Sequence, residues 1–325
     1  MRRLFLLAGA LLCTSPALAD DYRNCGETWH PAESPPSRIV ALNQHAADLV
    51  LALGAGSALA GVAYLDDIGA PQTEYFGVPV ISPRYPSSEV LYAQKPDLVV
   101  GGFASAFGNG VTSRSGLGRN GVASYLLESA CNGHSLDYFE HIRNDLSTLG
   151  ALLHRQQRAR ELSDAMDADL EKAKALTRPG RPLSVFYLDS EVNGLDSEGR
   201  RGFVTTLLAA AGARNLFADI NQYRVTVSRE TLLASDPDVI LLADAQWSPA
   251  SRKRRLLMQD PVLSTLRAVR EDRMIDIPFT HLLPTVGSGR VVLELAKRLS
   301  ALPRITPQEL SETAINDETV IRKDW

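Results

Sequence analysis

A long amphipathic stretch near the middle of the chain, residues 136–176, limits most strongly what this sequence can fold into. Its apolar residues recur three or four positions apart, which places them on one face of an α-helix. They are Phe139, Ile142, Leu146, Leu149, Leu153, Leu162, Met166, Leu170 and Ala173. Because glycine readily adopts the left-handed conformation that ends helices, we expect Gly150 to divide the stretch into helices over 136–149 and 154–176. The second helix would span about 33 Å, roughly the width of a small domain, and we interpret it as a rigid connector.

Two similar segments flank this connector. Residues 87–100 (SSEVLYAQKPDLVV) and 228–241 (SRETLLASDPDVIL) share six of fourteen positions, and residues 49–60 resemble residues 207–218 in the same order. An internal repeat of this kind indicates a chain built from two similar lobes.

Short apolar runs alternate with helical segments on both sides of the connector, which is the pattern of an α/β protein with parallel sheets. The predicted strands are 38–42, 59–64, 78–81, 98–101, 122–127, 183–188, 239–242 and 274–277. The predicted helices beside them are 45–53, 87–94, 203–211, 228–235, 256–269 and 289–299. We therefore predict an N-terminal lobe over 20–150, a linking helix over 151–177 and a C-terminal lobe over 178–325. The charged tail over 303–325 has no assignable pattern.

The first 19 residues have the pattern of a signal peptide. Arg2 and Arg3 precede an apolar run over 4–12, and small residues before Asp20 predict cleavage after Ala19. The apolar run is too short to span a bilayer. Cleavage removes two arginines and lowers the net charge from -4 to -6, so no basic excess indicates binding to nucleic acid. We expect a soluble, monomeric protein in the periplasm.

Cleavage also removes one of the three cysteines and leaves Cys25 and Cys131. An even pair in an exported chain favours a disulfide, although two unrelated buried thiols are the alternative. A bridge would fasten the N-terminal segment 20–38, which we expect to be irregular, to the loop before the connector.

Aromatic and polar residues follow the predicted strands, at the end where parallel sheets bind ligands. We predict ligand contacts from Tyr64, Asp66, Arg84, Tyr85, Phe103, Phe107, Tyr187, Asp189, Trp247 and His281. A site lined in this way suits a flat or bulky organic ligand with polar edges. For any one of the aromatic residues, the alternative is that it caps the core of its lobe.

Motifs of catalysis are absent from the sequence. There is no G-x-S-x-G elbow, H-E-x-x-H motif, P-loop or zinc-type cysteine pair. The G-x-G-x-x-G pattern over 116–121 precedes a predicted strand and does not follow one, so we do not interpret it as a nucleotide site. We expect His134, His141 and His154 to lie on the solvated surface. These observations predict a protein that is not an enzyme, needs no cofactor and has no resident metal.

Glu89 and Glu230 occupy matching positions in the two repeated segments. Each follows a serine that is predicted to cap a helix, where unpaired N–H groups stabilise a carboxylate. That local role explains both residues, but their symmetry equally indicates a shared surface on the two lobes.

Several segments together resemble the periplasmic substrate-binding proteins of iron-siderophore and vitamin B12 ABC importers. These are RIVALNQHAADLVLALG (38–54), SSEVLYAQKPDLVVGG (87–102) and VSRETLLASDPDVILLAD (227–244), with the signal peptide and the linking helix. The resemblance covers nearly the whole mature chain. It implies a ligand cleft between two lobes, little hinge closure and no catalysis. It also implies that Glu89 and Glu230 contact a dimeric ABC permease in the inner membrane.

The resemblance implies a metal chelate as the ligand, with a ferric siderophore as first choice, then cobalamin, then haem. Arg84, Arg114, Arg119 and Arg224 are possible donors to an anionic siderophore. Tyr64, Tyr187 and His281 are possible axial ligands of haem, and Trp247 could form an aromatic wall for cobalamin. A secreted α/β enzyme and a sensory binding module are the alternatives from other classes.

Overall fold

The structure, a computed structural model, describes residues 21–29, 34–66, 74–108, 110–177 and 179–303. The predicted signal peptide and residues 304–325 of the tail lie outside the described residues. The chain forms two α/β lobes with parallel sheets, as predicted. Within the described ranges, no helix has both the length and the apolar character needed to cross a membrane.

The N-terminal lobe is built around a six-stranded sheet in the order β5-β6-β4-β3-β7-β8, in which only β5 is antiparallel to its neighbour. The central strands β3 and β7 are buried at every position, as expected of parallel strands that are covered on both faces. The strands of this lobe are β1 (Tyr22–Asn24), β2 (Glu27–Trp29), β3 (Ile39–Leu42), β4 (Leu59–Ala63), β5 (Glu74–Tyr75), β6 (Val78–Ser82), β7 (Leu98–Gly101) and β8 (Ala123–Leu126). Its helices are α1 (Gln44–Ala52), α2 (Ser88–Ala93) and α3 (Arg114–Arg119).

Helices α4 (Tyr138–Leu152) and α5 (Gln156–Ala175) connect the lobes. The predicted division at Gly150 is wrong by a few residues, because α4 continues to Leu152 and the left-handed residue is His154, with φ 53°. Gly150 serves a different purpose. A Cβ at this position would lie 2.5 Å from the Cβ of Ala159, so the glycine lets the first turn of α5 close against the end of α4.

The C-terminal lobe contains a four-stranded parallel sheet in the order β11-β9-β13-β14 and a separate antiparallel pair, β10 and β12. Its strands are β9 (Leu183–Leu188), β10 (Leu195–Glu198), β11 (Ala213–Asn215), β12 (Arg224–Val227), β13 (Val239–Asp244) and β14 (Met274–Pro278). Its helices are α6 (Phe203–Ala210), α7 (Arg229–Ser235), α8 (Ala250–Gln259), α9 (Arg267–Arg270) and α10 (Ser288–Ala301).

The predicted single helix over 256–269 is wrong. It comprises the end of α8, a short 3-10 turn and the start of α9. Asp260 ends α8 and its carboxylate accepts the N–H groups of Val262 and Leu263, at 3.0 and 3.1 Å. This local hydrogen bonding, with Pro261 as the next residue, overrides the apolar periodicity.

The two lobes share one continuous apolar core that passes through α4, α5 and α10. Helix α10 crosses α5 so closely that a Cβ at Gly289 would lie 2.6 Å from the carbonyl oxygen of Met166. At the start of α4, the ring of Tyr138 packs 5.4 Å from Phe203, and its hydroxyl donates to the carbonyl of Arg201. The connector is therefore packed against the C-terminal lobe along its length.

The N-terminal segment, predicted to be irregular, contains the hairpin β1–β2, which packs on the open edge of β8. The side-chain amide of Asn24 donates to the carbonyl of Leu126 at 2.8 Å and accepts the N–H of the same residue at 2.9 Å, as a neighbouring strand would. The predicted disulfide between Cys25 and Cys131 is confirmed, with the two Cα atoms 5.1 Å apart. The hairpin and the disulfide together cover the edge of the sheet.

Replacing both cysteines, as Cys25→Ser/Cys131→Ser, is expected to lower the free energy of unfolding by about 3–5 kcal/mol. The bridge joins residues 106 positions apart, and a loop of that size loses much chain entropy in the unfolded state. Urea unfolding of both proteins, with and without a reductant, measures the effect. The reductant should destabilise the wild type and leave the double variant unchanged; equal stability of the two proteins under oxidising conditions would contradict the prediction.

Candidate functional site

Two tyrosines lie side by side at the carboxyl ends of β4 and β6, where parallel sheets bind ligands. The rings of Tyr64 and Tyr85 are 4.7 Å apart and meet edge to face. Tyr64 has φ 52° and its side chain is 37% exposed. The left-handed conformation costs a bulky residue roughly 1–2 kcal/mol and is found preferentially at functional sites. Tyr64 is therefore the clearest candidate for a ligand contact in this lobe.

Asn43, which follows β3, holds the surrounding loops together. Its side-chain oxygen accepts the backbone N–H groups of Gly102 and Phe103, at 3.1 and 3.2 Å. Its amide nitrogen donates to the hydroxyl of Tyr85 at 3.1 Å, and that hydroxyl also lies 2.8 Å from the Ser105 hydroxyl. Asn43 is fully buried, so these bonds fix the strand ends relative to each other.

We call Tyr64, Tyr85 and Phe103 the N-terminal aromatic cluster. Asp66 lies beside it, with its backbone N–H donating to the side chain of Gln44 at 3.0 Å. Burial raises the pKa of Tyr85, and the nearby Tyr64 and Asp66 raise it further. The phenol therefore stays protonated and can donate a hydrogen bond to a ligand. The structure brings together four of the residues predicted from the sequence.

His45 lies behind this cluster and was not predicted. Its ring centroid is 4.6 Å from that of Phe103, and the side chain is 4% exposed. Gly102 makes room for it, since a Cβ there would lie 2.2 Å from Nε2 of His45. Burial lowers the pKa of His45 to about 4, although a hydrogen bond to the Gly102 backbone opposes the shift. The paired glycines after β7 are the sequence signal that could have indicated this close approach.

Phe107, a predicted ligand contact, and Arg114, a possible donor, both make contacts within the N-terminal lobe. Phe107 packs against a buried group of apolar residues of the same lobe, and the Arg114 guanidinium lies 5.9 Å from its ring centroid. Arg114 also stacks 4.5 Å above Trp29 and donates to the hydroxyl and the carbonyl of Ser124. It anchors the N-terminal hairpin, so it is not the free donor that the sequence suggested.

In the C-terminal lobe, Trp247 and Phe279 follow β13 and β14. We call them the C-terminal aromatic pair, because their rings lie 4.8 Å apart, edge to face. Trp247 is 46% exposed at the tip of a tight turn that is closed by mutual backbone hydrogen bonds between Ala245 and Ser248. Phe279 was not among the predicted ligand contacts.

Two basic residues of α8 hold the turn that carries Trp247. Lys253 is fully buried and donates to the backbone carbonyls of Ala243 and Ser248. Arg252 donates to the carbonyl of Trp247 at 2.9 Å. Burial lowers the pKa of Lys253 to about 8. The indole is therefore presented by a rigid turn whose carbonyl groups are already bonded.

Asp189, directly after β9, accepts two hydrogen bonds. The Tyr187 hydroxyl donates to one carboxylate oxygen at 2.8 Å, and the Arg224 guanidinium donates to the other at 2.7 Å. Tyr187 is 1% exposed, so it orients Asp189 from within the core. Glu198 lies nearby and accepts the N–H of Val204 at the start of α6. Burial raises the pKa of the Glu198 carboxyl to about 7.

Arg84 and His281 are the two remaining predicted contacts. Arg84 is exposed in the loop after β6 and forms no ion pair with the described residues. His281 is exposed beyond β14 and lines a groove of about 380 Å³ between that strand and α10. The groove also contains Arg290 and Glu294. Among the described residues, the guanidinium of Arg84 does not stack on an aromatic ring, and the ring of His281 does not pack against one.

Glu89 and Glu230 occupy the second positions of α2 and α7, and both are exposed. Ser87 and Ser228 cap these helices, each accepting a backbone N–H three residues later, at 3.3 and 3.1 Å. The leucine two positions after each glutamate is fully buried. The two segments that repeat in the sequence therefore have the same local structure.

The prediction of a solvated surface is wrong for His141, which is 6% exposed. Burial lowers its pKa, but hydrogen bonds to Glu128 and to the carbonyl of Ser135 outweigh this effect and raise it. His134 is half-buried and His154 is exposed. In the described ranges, no three His, Cys, Asp or Glu side chains converge in a way that could hold a metal ion.

Comparisons with known proteins agree on one family. The family model described as "Periplasmic binding protein" matches residues 39–280. A cobalamin-binding protein of Halobacterium salinarum is 22% identical over 300 residues, which are 90% of this chain and 76% of the relative. A periplasmic binding protein from Veillonella parvula superposes with a TM-score of 0.75 at 23% identity, covering 88% of this chain and 99% of the other. An ABC-type Fe3+-hydroxamate transport protein from Saccharomonospora viridis gives a TM-score of 0.69 at 26% identity, covering 87% and 99%.

Acid is expected to destabilise the wild type more than the variant His45→Gln. The folded protein keeps His45 neutral down to about pH 4, whereas in the unfolded chain it gains a proton near its ordinary pKa. The stability that His45 contributes is therefore present at neutral pH and lost as the pH falls between these two values, by about 3 kcal/mol in total.

Urea unfolding of the wild type and the variant at about pH 7 and about pH 4 measures this difference. Other titrating groups cancel in the comparison. Parallel losses of stability in the two proteins would show that His45 is protonated within the folded state.

Proposed function

Because the chain belongs to the periplasmic binding protein family, we propose that it captures a ferric siderophore complex between its lobes and delivers it to an ABC permease. Binding proteins of this family deliver ligands to such permeases and are extracytoplasmic. The proposal includes export, with cleavage after Ala19, and action as a monomer in the periplasm. It is a binding function without catalysis.

The observation that carries the proposal is the presence of exposed aromatic groups at the carboxyl ends of both sheets. The N-terminal aromatic cluster combines ring edges with the phenol of Tyr85, whose raised pKa keeps it protonated so that it can donate to the oxygen atoms of a chelate. The C-terminal aromatic pair offers a broad apolar surface, since Trp247 is half-exposed and supported by Phe279. A siderophore complex has both an organic exterior and exposed oxygen atoms, and this combination of surfaces suits it.

The similarity to the Fe3+-hydroxamate transport protein from Saccharomonospora viridis supports this choice, because it extends over 87% of this chain. Hydroxamate complexes expose carbonyl and N–O oxygens that accept hydrogen bonds. Within the N-terminal aromatic cluster, the phenol of Tyr85 bonds to the hydroxyl of Ser105 at 2.8 Å. One hydroxyl of this pair donates to the other, so the second can donate its hydrogen to a ligand oxygen.

Cobalamin is a second candidate, and the C-terminal aromatic pair favours it. A corrin ring has a wide face that an exposed indole such as Trp247 could cover. The relatives from Halobacterium salinarum, described as cobalamin-binding proteins, match 90% of this chain. Haem is less well supported, because Tyr187, one of its three candidate axial ligands, is buried.

Delivery to the permease would use Glu89 and Glu230. Each is exposed in the first turn of a short helix. Exposed carboxylates on both lobes could each pair with a cationic group of a two-subunit partner. Ion pairs at two separate points would align the lobes with that partner.

Titrating the purified mature protein with chelates tests the ligand assignment. The sequence contains three tryptophans, and we expect a ferric siderophore to quench the fluorescence of Trp247 with a dissociation constant below about 1 μM. The variant Trp247→Phe should lose the signal and bind at least about tenfold more weakly, since it loses much of the apolar contact.

Trp29→Phe is the matched control, because Trp29 stacks on Arg114 in the N-terminal hairpin and should not affect binding. Cobalamin and haem belong in the same titration. Saturable binding of cobalamin but of no ferric siderophore would replace the first candidate with the second.

The variant Glu89→Ala/Glu230→Ala is expected to bind its ligand normally but to lose most of the transport. Both side chains are exposed, so their removal should leave the fold intact. Uptake of the radiolabelled chelate by proteoliposomes that contain the cognate permease measures the effect. Glu140→Ala removes an exposed carboxylate from the first turn of α4 and serves as the control. Normal uptake with the double variant would contradict the docking assignment.

A further inference from the structure

We infer that Asp189 determines the charge of the ligand, because it neutralises Arg224 and thereby makes the cleft select chelates without net negative charge. The inference rests on the proposed function and names the class of siderophore that the site accepts. It is carried by the ion pairing of the arginines that could otherwise bind an anion.

Asp189 and Arg224 form a well-defined pair with unequal exposure. The Arg224 nitrogen lies 2.7 Å from the carboxylate of Asp189, and the side chains are 64% and 9% exposed, respectively. The Tyr187 hydroxyl holds the second carboxylate oxygen at 2.8 Å. The buried Tyr187 thus holds the carboxylate of Asp189 in place, while the Arg224 guanidinium that it neutralises is exposed to solvent.

A second carboxylate lies close to the same guanidinium. Glu198 on β10 is directly across the ladder from Arg224 on β12. Burial raises the pKa of Tyr223, and Glu198 and Asp189 raise it further. Tyr187 experiences the same effects. Because burial raises the pKa of Glu198 to about 7, that carboxyl is only partly ionised at neutral pH, and Asp189 is the group that neutralises Arg224 at this wall of the cleft.

Two basic residues of α8 are also engaged. Arg252 pairs with Glu191, and the ammonium of Lys253 is buried against backbone carbonyls. In the N-terminal lobe, Arg114 is held by the hairpin. Of the predicted arginine donors, Arg84 and Arg119 alone form no ion pair with the described residues. Arg114, Arg224, Arg252 and Lys253 therefore offer an anionic ligand no unpaired cation.

Siderophore complexes differ in charge according to their chelating groups. Ferric iron carries three positive charges, and three hydroxamates, each with one negative charge, give a neutral complex. Three catecholates, each with two negative charges, give a complex with three negative charges. The wild-type cleft should accept the first complex and reject the second, because Arg224, already neutralised by Asp189, would not compensate the desolvation of the anion.

The test compares these two ferric complexes as ligands of the wild type and of the variant Asp189→Asn. The amide keeps the shape of the carboxylate and can still accept the Tyr187 hydroxyl, but it leaves Arg224 unpaired. Glu198 is already bonded to the start of α6. We expect the affinity for the tricatecholate complex to rise at least about tenfold, while that for the trihydroxamate complex changes less than about threefold.

Asp196→Asn is the matched control. Asp196 lies on β10, in the same antiparallel ladder as Arg224, and accepts the hydroxyl of Thr226. The variant removes an equal charge without releasing an arginine, so it should leave the affinities for both complexes unchanged. The double variant Asp189→Asn/Arg224→Gln should again reject the tricatecholate. Arg224→Gln alone, which needs no repacking of buried groups, should continue to reject it.

The outcomes separate this inference from the proposed function. Equally tight binding of both complexes by the wild type, or an unchanged ratio in Asp189→Asn, would overturn the inference and leave siderophore capture standing. A rise in the affinity for the tricatecholate in Asp196→Asn equal to that in Asp189→Asn would also overturn it. Binding of neither complex by the folded wild type would overturn the siderophore assignment, and the inference with it.

Discussion

The apolar core that α4, α5 and α10 share with both sheets is the constraint on which the rest of the structure depends. One cluster of buried side chains extends from the N-terminal lobe through the connector into the C-terminal lobe. Rotating one lobe against the other would expose part of this core, at a cost of about 25 cal/mol for each Å² of apolar surface. This cost opposes rotation of the lobes, so the ligand cleft that we propose between them would be largely formed before a ligand arrives. A preformed site loses less entropy on binding.

Each lobe holds its exposed aromatic residues with a buried polar side chain that bonds to the backbone. In the N-terminal lobe this residue is Asn43, and in the C-terminal lobe it is Lys253. The two residues lie outside the repeated segments and differ in charge. Both form hydrogen bonds with backbone N–H or C=O groups at the ends of strands, where these groups have no partner in a neighbouring strand. The positions of Phe103 and Trp247 follow from this bonding.

The sequence was sufficient for the fold class, because hydrophobic periodicity and an internal repeat are local signals. It predicted the serine caps at Ser87 and Ser228 from local spacing, and the pairing of the two cysteines from their even number in an exported chain. It did not predict the hairpin β1–β2, which packs on a distant strand, or the antiparallel pair of β10 and β12, which are separated by α6 and β11. Gly150 was misinterpreted because its role is a close approach between helices, which no local pattern reveals.

The sequence predicted which residues follow the strands and could line the site, but it did not predict how those residues contact each other. Tyr64 and Tyr85 were expected to line the cleft, but their mutual contact depends on β6 lying beside β4. Arg114 and Arg224 were predicted as free donors, and only the tertiary structure shows the partners that engage them. His45 was missed because its burial results from the packing of Phe103 above it.

The disulfide between Cys25 and Cys131 has a topological consequence, since it encloses all six strands of the N-terminal sheet in one covalent loop. Proteolytic cleavage at a single bond inside this loop leaves the two fragments joined, whereas a cut in the C-terminal lobe leaves its fragments held only by non-covalent contacts.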